Sequence, residues 1–377
     1  MSGASRSFGA ALAAAAVLWI CSAGSALALD LVVDTFGDSA NPGFQACTAA
    51  PGDCTLRGAI IKANSVAGPH TITLSANTYT LTIQGQLEDA AATGDLDIAQ
   101  TITINGVSPA STVITWDETI PAANRDRIFH VLTSGNLTIR DVSLRQGATT
   151  GFTGAFAGKG GAILALGPLT VERASIRVNQ AFFSGGGLWL QGPTVIRKSA
   201  INNNNAGDAA GIMVDMASGI PTIPSVLIES STISTNTADV GGGLKLDAPN
   251  ANAVVTLNSV TVANNSATAA GGLVRNNGTL FLRNTIVANN TASSSNPNCS
   301  GTISSQGNNL VWGGDTCGMS AGNNDIVNTV DPQFTPLQDN GGPTATHALG
   351  IFSGALDRGN PATPGSGGSA CPATDQR

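Results

Sequence analysis

Five times between residues 176 and 290 an apolar residue is followed three positions later by Asn and two after that by Ala. The sets are Ile176-Asn179-Ala181, Ile201-Asn204-Ala206, Ile233-Asn236-Ala238, Val262-Asn265-Ala267 and Val287-Asn290-Ala292. The Asn residues lie 25, 32, 29 and 25 apart. A glycine follows each of the first four after 7 or 8 residues, as Gly187, Gly211, Gly243 and Gly272, and Gly161 opens the series. Self-similarity at this period means a repeat architecture.

The residues after each glycine alternate. Ala162, Leu188, Ile212, Leu244 and Leu273 form an apolar column, continued by Leu164, Leu190, Val214, Leu246 and Arg275. The intervening column holds Ile163, Trp189, Met213, Lys245 and Val274, then Ala165, Gln191, Asp215, Asp247 and Asn276. A period of two with one apolar side is a half-buried strand. Three such strands in each repeat of 24 to 32 residues predict an all-β fold, a parallel β-helix whose like strands stack about 4.8 Å apart. Asn179, Asn204, Asn236, Asn265 and Asn290 are then expected to form an amide ladder at a turn, where Asn tolerates the left-handed conformation. The 46 glycines in 377 residues exceed the average of about 7% and suit a chain made of turns.

Residues 1–28 read as a targeting segment: Arg6, an apolar run from Ala10 to Ile20, and Ala26-Leu27-Ala28 as cleavage site. The run is too short to span a membrane comfortably, and the rest of the chain holds no other span. Cleavage removes one of 17 basic residues and none of the 24 acidic ones, leaving a net charge of −8. No basic cluster exists, which argues against nucleic acid and anionic membranes as partners. An exported chain permits disulfides, and Cys47–Cys54 and Cys299–Cys317 are the simplest pairs, with Cys371 left over. Leu56, Ala59, Ile60 and Ala63 fall at helical spacing behind Asp53, which is placed to cap a short helix. Such a helix would cover the open end of the solenoid, as an N-terminal helical cap.

Cys54-Thr55-Leu56-Arg57-Gly58-Ala59-Ile60, with Asn64 following, resembles the CSLREA motif of exported bacterial repeat proteins, with Thr for Ser and Gly58 for Glu. Gly94-Asp95-Leu96-Asp97-Ile98 is similar to a segment downstream of that motif. Asp331-Pro332, Leu337 to Leu349, Asp357-Arg358-Gly359-Asn360 and Asp375-Gln376-Arg377 resemble the choice-of-anchor Q domain. The resemblance implies a right-handed parallel β-helix on, or released from, a bacterial cell surface, and implies little about activity. Relatives usually continue past Asp-Gln-Arg into a sorting signal, whereas this sequence stops at Arg377. The expected organisation is a signal peptide (1–28), a cap with first strands (29–97), β-helix repeats (98–295) and a C-terminal region (296–377).

Chemistry is sought on the exposed strand face. Asp215 and Asp247 share one outer column in adjacent coils, Lys245 lies on the same face, and Trp189, Gln191 and Asn276 extend it. The insertions Ala217–Pro224 and Ala248–Ala253 lie just beyond this strand, and insertions on one side of a solenoid mark its binding side. The two carboxylates are candidates to chelate Ca²⁺ or to act as acid and nucleophile of a glycosidase. Lys245 is a candidate lyase base and Trp189 a sugar platform. Against this, adjacent polar residues on a solvated strand are ordinary, and Lys245 can simply neutralise the two acids. Asp95 and Asp97 read as structural, and His70, His130 and His347 show no ligand spacing. The reading is a non-enzymatic, monomeric, exported β-helix with no required cofactor, which presents a surface for adhesion to a polysaccharide or matrix component. The competing class is a polysaccharide lyase or glycoside hydrolase centred on Asp215, Lys245 and Asp247.

Overall fold

From Leu188 the chain passes through four short strands before it returns one level higher: Leu188–Leu190, Thr194–Arg197, Ala200–Asn202 and Asn205–Asp208. Ile212–Asp215 then pairs in parallel on Leu188–Leu190, with Ile212 over Leu188. Repetition of this path builds four parallel sheets, named A to D in that order, of eight, ten, ten and six strands. The structure is a computed structural model that describes residues 3, 27–86, 88–150, 154, 156–215, 225–249, 253–294 and 296–377. The targeting segment lies outside these residues except for Gly3, Leu27 and Ala28, and the insertion Ala217–Pro224 lies outside them entirely.

The architecture is the expected parallel β-helix with a helical cap, but each full coil has four strands where the sequence predicted three. The extra strand, in sheet D, follows the ladder Asn. Its inward residues Ala181, Ala206 and Ala238 have weak β propensity, so the run reads as turn. The register also differs in one coil. Ile163, not Ala162, stacks on Leu188, because Ala162 takes the level of Gly187, whose carbonyl accepts from both Ala162 and Ile163. Inside, columns such as Ile176–Ile201–Ile233–Val262–Val287 merge into one continuous core.

The five Asn side chains form the ladder. From Asn204 to Asn290 each Oδ1 accepts from the backbone N–H and the Nδ2 of the Asn one coil before it, at 2.9–3.0 Å, and Asn179 Oδ1 accepts from Gly147 N–H. The second Nδ2 hydrogen goes to a carbonyl, as from Asn236 to Ile201. All five are buried. The left-handed residue of the turn, however, is the one before each: Val178, Asn203, Thr235, Asn264 and Asn289, with φ of 54–58°. The ladder Asn is selected for its amide, not for its backbone.

The amide ladder also explains the phased glycines. A Cβ on Gly243 would lie 2.5 Å from the Gly272 carbonyl oxygen and 3.1 Å from Asn265 Nδ2. Gly243→Ala should therefore lose about 1–3 kcal/mol of unfolding free energy by overpacking. Gly37→Ala, with nothing within 4 Å, should stay within about 0.5 kcal/mol of wild type. Urea unfolding of the two variants checks this, and equal losses would refute it.

The cap helix, α1, spans Leu56–Asn64. Thr55, not Asp53, caps it by accepting from Gly58 N–H, while Asp53 bonds Thr48. At Gly58 a Cβ would sit 2.0 Å from the Phe44 carbonyl oxygen, so the helix there needs glycine. Arg57, fully buried, pairs with Asp38 at 2.6 Å and donates to the carbonyls of Ala91, Gly94 and Asp95. Asn64 donates to the Asp97 carbonyl and accepts from Ala99 N–H, so it serves as a partner for the strand Leu96–Ile98. The two N-terminal motifs thus interlock.

Cys47–Cys54 and Cys299–Cys317 are disulfides, and Cys371 is free. Paired strands run from Asp30–Val33 to Ile326–Val327, so the expected boundaries near 97 and 295 fall inside the ladder. Beyond Val327 the chain turns back along the turns between sheets B and C. Thr344 donates to the Lys198 carbonyl, His347 Nε2 meets Ser234 Oγ at 2.8 Å, and Asn360 N–H bonds Asn284. Gln376 accepts from Thr232 and donates to Thr344. The C-terminal motif is a docking strap.

Candidate functional site

The outer column of sheet A, in register, is Asp97, His130, Leu164, Trp189, Met213, Lys245 and Val274. Asp97 and His130 on one side and Lys245 on the other flank a buried apolar centre, where Trp189 packs with Leu164, Ala209, Met213 and Phe156.

At the far end the structure brings the candidate residues together. Asp215 stacks on Asp247. Lys245 is paired with Asp208 and lies 4.0 Å from Asp247, and Asn276 Nδ2 donates to Asp247 at 3.1 Å. Lys159 lies 3.9 Å from Asp215. Burial pushes the Asp215 carboxyl above its usual range, opposed by Lys159 and assisted by Asp247. Gln191 is half-buried, next after the paired strand Leu188–Leu190.

Two expectations change. Trp189 is fully buried, with the Lys159 ammonium 4.6 Å above its ring and Phe156 edge-on at 6.0 Å. It is a core residue and not an open platform for sugar. Lys245 is likewise buried and held by carboxylates, in the neutralising role. Lys159 and Asp208 were missed because they belong to the end of sheet D. The signal was present: Lys159, Ser184 and Asp208 occupy successive levels of one column just before the glycine turn. Trp189 Nε1 and Asp208 Oδ1 are buried with no hydrogen-bond partner among the described residues.

The near end was not foreseen as a cluster. Strand register places His130 beside Asp97, with Nδ1 at 3.2 Å from Asp97 and 3.5 Å from Asp89. Asp89, Asp97 and His130 have ligand-capable atoms within 4.8 Å of one another. Among the described residues the other such group, Cys299, Asp315 and Cys317, contains a disulfide, and Asp215 and Asp247 belong to neither. Asp95 pairs with Arg127 at 2.9 Å. His70 and His347 bond backbone and hydroxyl groups, as structural residues.

Burial raises the carboxyls of Asp95 and Asp97 and takes Asp126 from its usual 3.8 to about 6. The native state then binds the Asp126 proton more tightly than the unfolded chain does. The resulting stability is present below about pH 4 and lost as pH rises through about 6. Between about pH 4 and 7, Asp126→Asn should therefore gain on wild type by roughly 2–3 kcal/mol. Unfolding titrations at several pH values measure that difference, and a constant difference would refute it.

No helix among the described residues is long and apolar enough to cross a membrane. No family model matches the chain, and no curated protein does. Among solved structures the chain is similar to one described as "Crystal structure of pectate lyase Pel9A", at 15% identity over 81% of this chain and 73% of that one, with a TM-score of 0.46. Nothing about activity follows at that identity and score.

Proposed function

We propose that this protein is exported and works without catalysis, binding carbohydrate of a cell surface or matrix along the side of its solenoid. The observation that carries this reading is the charge pairing where the end of sheet D meets sheet A. Asp208 has Lys245, Asp215 has Lys159, and Asp247 has Lys245 and Asn276. Three carboxylates engaged by two lysines and an amide in this way form a strut between coils. Two disulfides in a chain that opens on an apolar targeting segment support export.

Retention of residues 29–377 on a panel of neutral and acidic polysaccharides, with and without Ca²⁺, tests the reading. Binding to at least one glycan is expected, and Asp247→Asn should leave it unchanged. Retention on none would refute carbohydrate as the partner. Retention that appears only with Ca²⁺ and is lost in Asp247→Asn would place a metal between the two acids.

A second reading, a polysaccharide hydrolase or lyase, draws on the raised carboxyl of Asp215 beside Asp247. A retained proton is what a general acid needs.

A further inference from the structure

Sheet D differs from the other three. Its inner side is lined by Ala181, Ala206 and Ala238, and its outer side is open. In register along it run Gln180, Asn205, Thr237, Ser266 and Thr291, one per coil. Four of the five are exposed and Ser266 is half-buried. At one end the pairing between Ala181 and Ser184 is irregular, with two residues against the single Gly207. That bulge turns two consecutive side chains outward: Phe182 and Phe183 are 59% and 54% exposed, edge to face at 4.8 Å. A bulge re-aims side chains, and an exposed aromatic pair forgoes about 1.5–3 kcal/mol per ring of burial.

We propose that this face is the carbohydrate-binding surface, and that it takes an extended chain of uncharged hexopyranose units laid along the solenoid axis. The proposal rests on the carbohydrate reading above and supplies its site and ligand class. A sugar ring packs on Phe182, and hydroxyl groups further along bond to Asn205, Thr237, Ser266 and Thr291. These side chains repeat about every 4.8 Å, close to the length of one sugar ring, so the same contact recurs from coil to coil. Charge selects the class. The column itself is uncharged, and Asp208 and Asp239 on the same strands are acidic. The neighbouring cations Lys159 and Arg125 are engaged by Asp215 and by the Ile120 and Glu118 carbonyls, so none is committed to holding a polyanion. Amides and hydroxyls, each both donor and acceptor in character, match sugar hydroxyls.

The test uses residues 29–377 and two probes, a neutral β-1,4-linked glucan hexasaccharide and hexagalacturonate, by titration calorimetry. Phe182→Ala and Thr237→Arg both alter exposed positions, so folding is checked by their melting curves. The neutral hexasaccharide should bind the wild type, and each substitution should weaken it at least tenfold, while Asp247→Asn does not. If both variants bind a glycan as the wild type does, this face is not the site, although the carbohydrate reading stands. If only hexagalacturonate binds, the ligand class is wrong. If neither probe binds, the proposal fails, and the polysaccharide panel decides separately whether the broader reading fails with it. If Phe182→Ala abolishes a dimer of the wild type, the face is a contact between copies of this chain, which also overturns the proposal.

Discussion

Replacing Arg57 with Met is expected to cost roughly 3–5 kcal/mol of unfolding free energy, the usual range for leaving one member of a buried ion pair behind. Asp38, its side chain 1% exposed, keeps its bonds from Thr82 and Ile83 N–H but loses its only described cation. The carbonyls of Ala91, Gly94 and Asp95 lose a shared donor at the same time. Because Arg57 joins the cap helix to the first coils, the loss should act from the solenoid end, where unfolding of a linear array begins most readily. Arg57→Met/Asp38→Asn should recover part of it by removing the stranded charge. Denaturant unfolding of the three variants decides the matter. A loss under about 1 kcal/mol in the single variant would mean that the clamp is solvated and that the motif holds no cap.

The second large effect is expected at the centre of the ladder. Asn236→Ala removes four buried bonds: it leaves Asn204 N–H without its acceptor and takes one bond each from Asn204 Nδ2, Asn265 Oδ1 and the Ile201 carbonyl. Asn265 Oδ1 keeps the backbone N–H of residue 236, and Asn204 Nδ2 keeps the Ile176 carbonyl. Each unmade bond of this kind costs about 1–3 kcal/mol, and partial relaxation brings the total to roughly 3–6 kcal/mol. Ser293→Ala, on an exposed residue of the same solenoid, should change stability by no more than about 0.5 kcal/mol. Thermal and urea unfolding read both. Equal, small effects would mean that water replaces the amide and that the ladder is decoration on a core-driven fold.

The coil and its ladder were legible because they repeat: an Asn found five times in phase with a glycine can be placed without knowing any contact. The disulfides were legible from proximity alone. The fourth sheet was not, since its inward alanines have weak β propensity and the run after each ladder Asn reads as turn. The slip at Ala162 arose because a small residue took the level that glycine holds elsewhere. Whether a side chain was open to ligand was the hardest question. Trp189 sits at an outward position by alternation, yet Phe156, from a segment between repeats, closes over it. Outward in a strand is a statement about direction, and burial is decided by what the rest of the chain lays on top. The same limit hid the meeting of Asp97 with His130, 33 residues apart, which only register creates.

The central claim is that this solenoid binds without breaking bonds. Its most direct test is mass spectrometry of the soluble products after prolonged incubation of residues 29–377 with each retained polysaccharide, beside Asp215→Asn. The account predicts the same absence of new chain ends for both proteins. Oligosaccharides that appear with the wild type and vanish with Asp215→Asn would contradict it and make the sheet A carboxylates an active site.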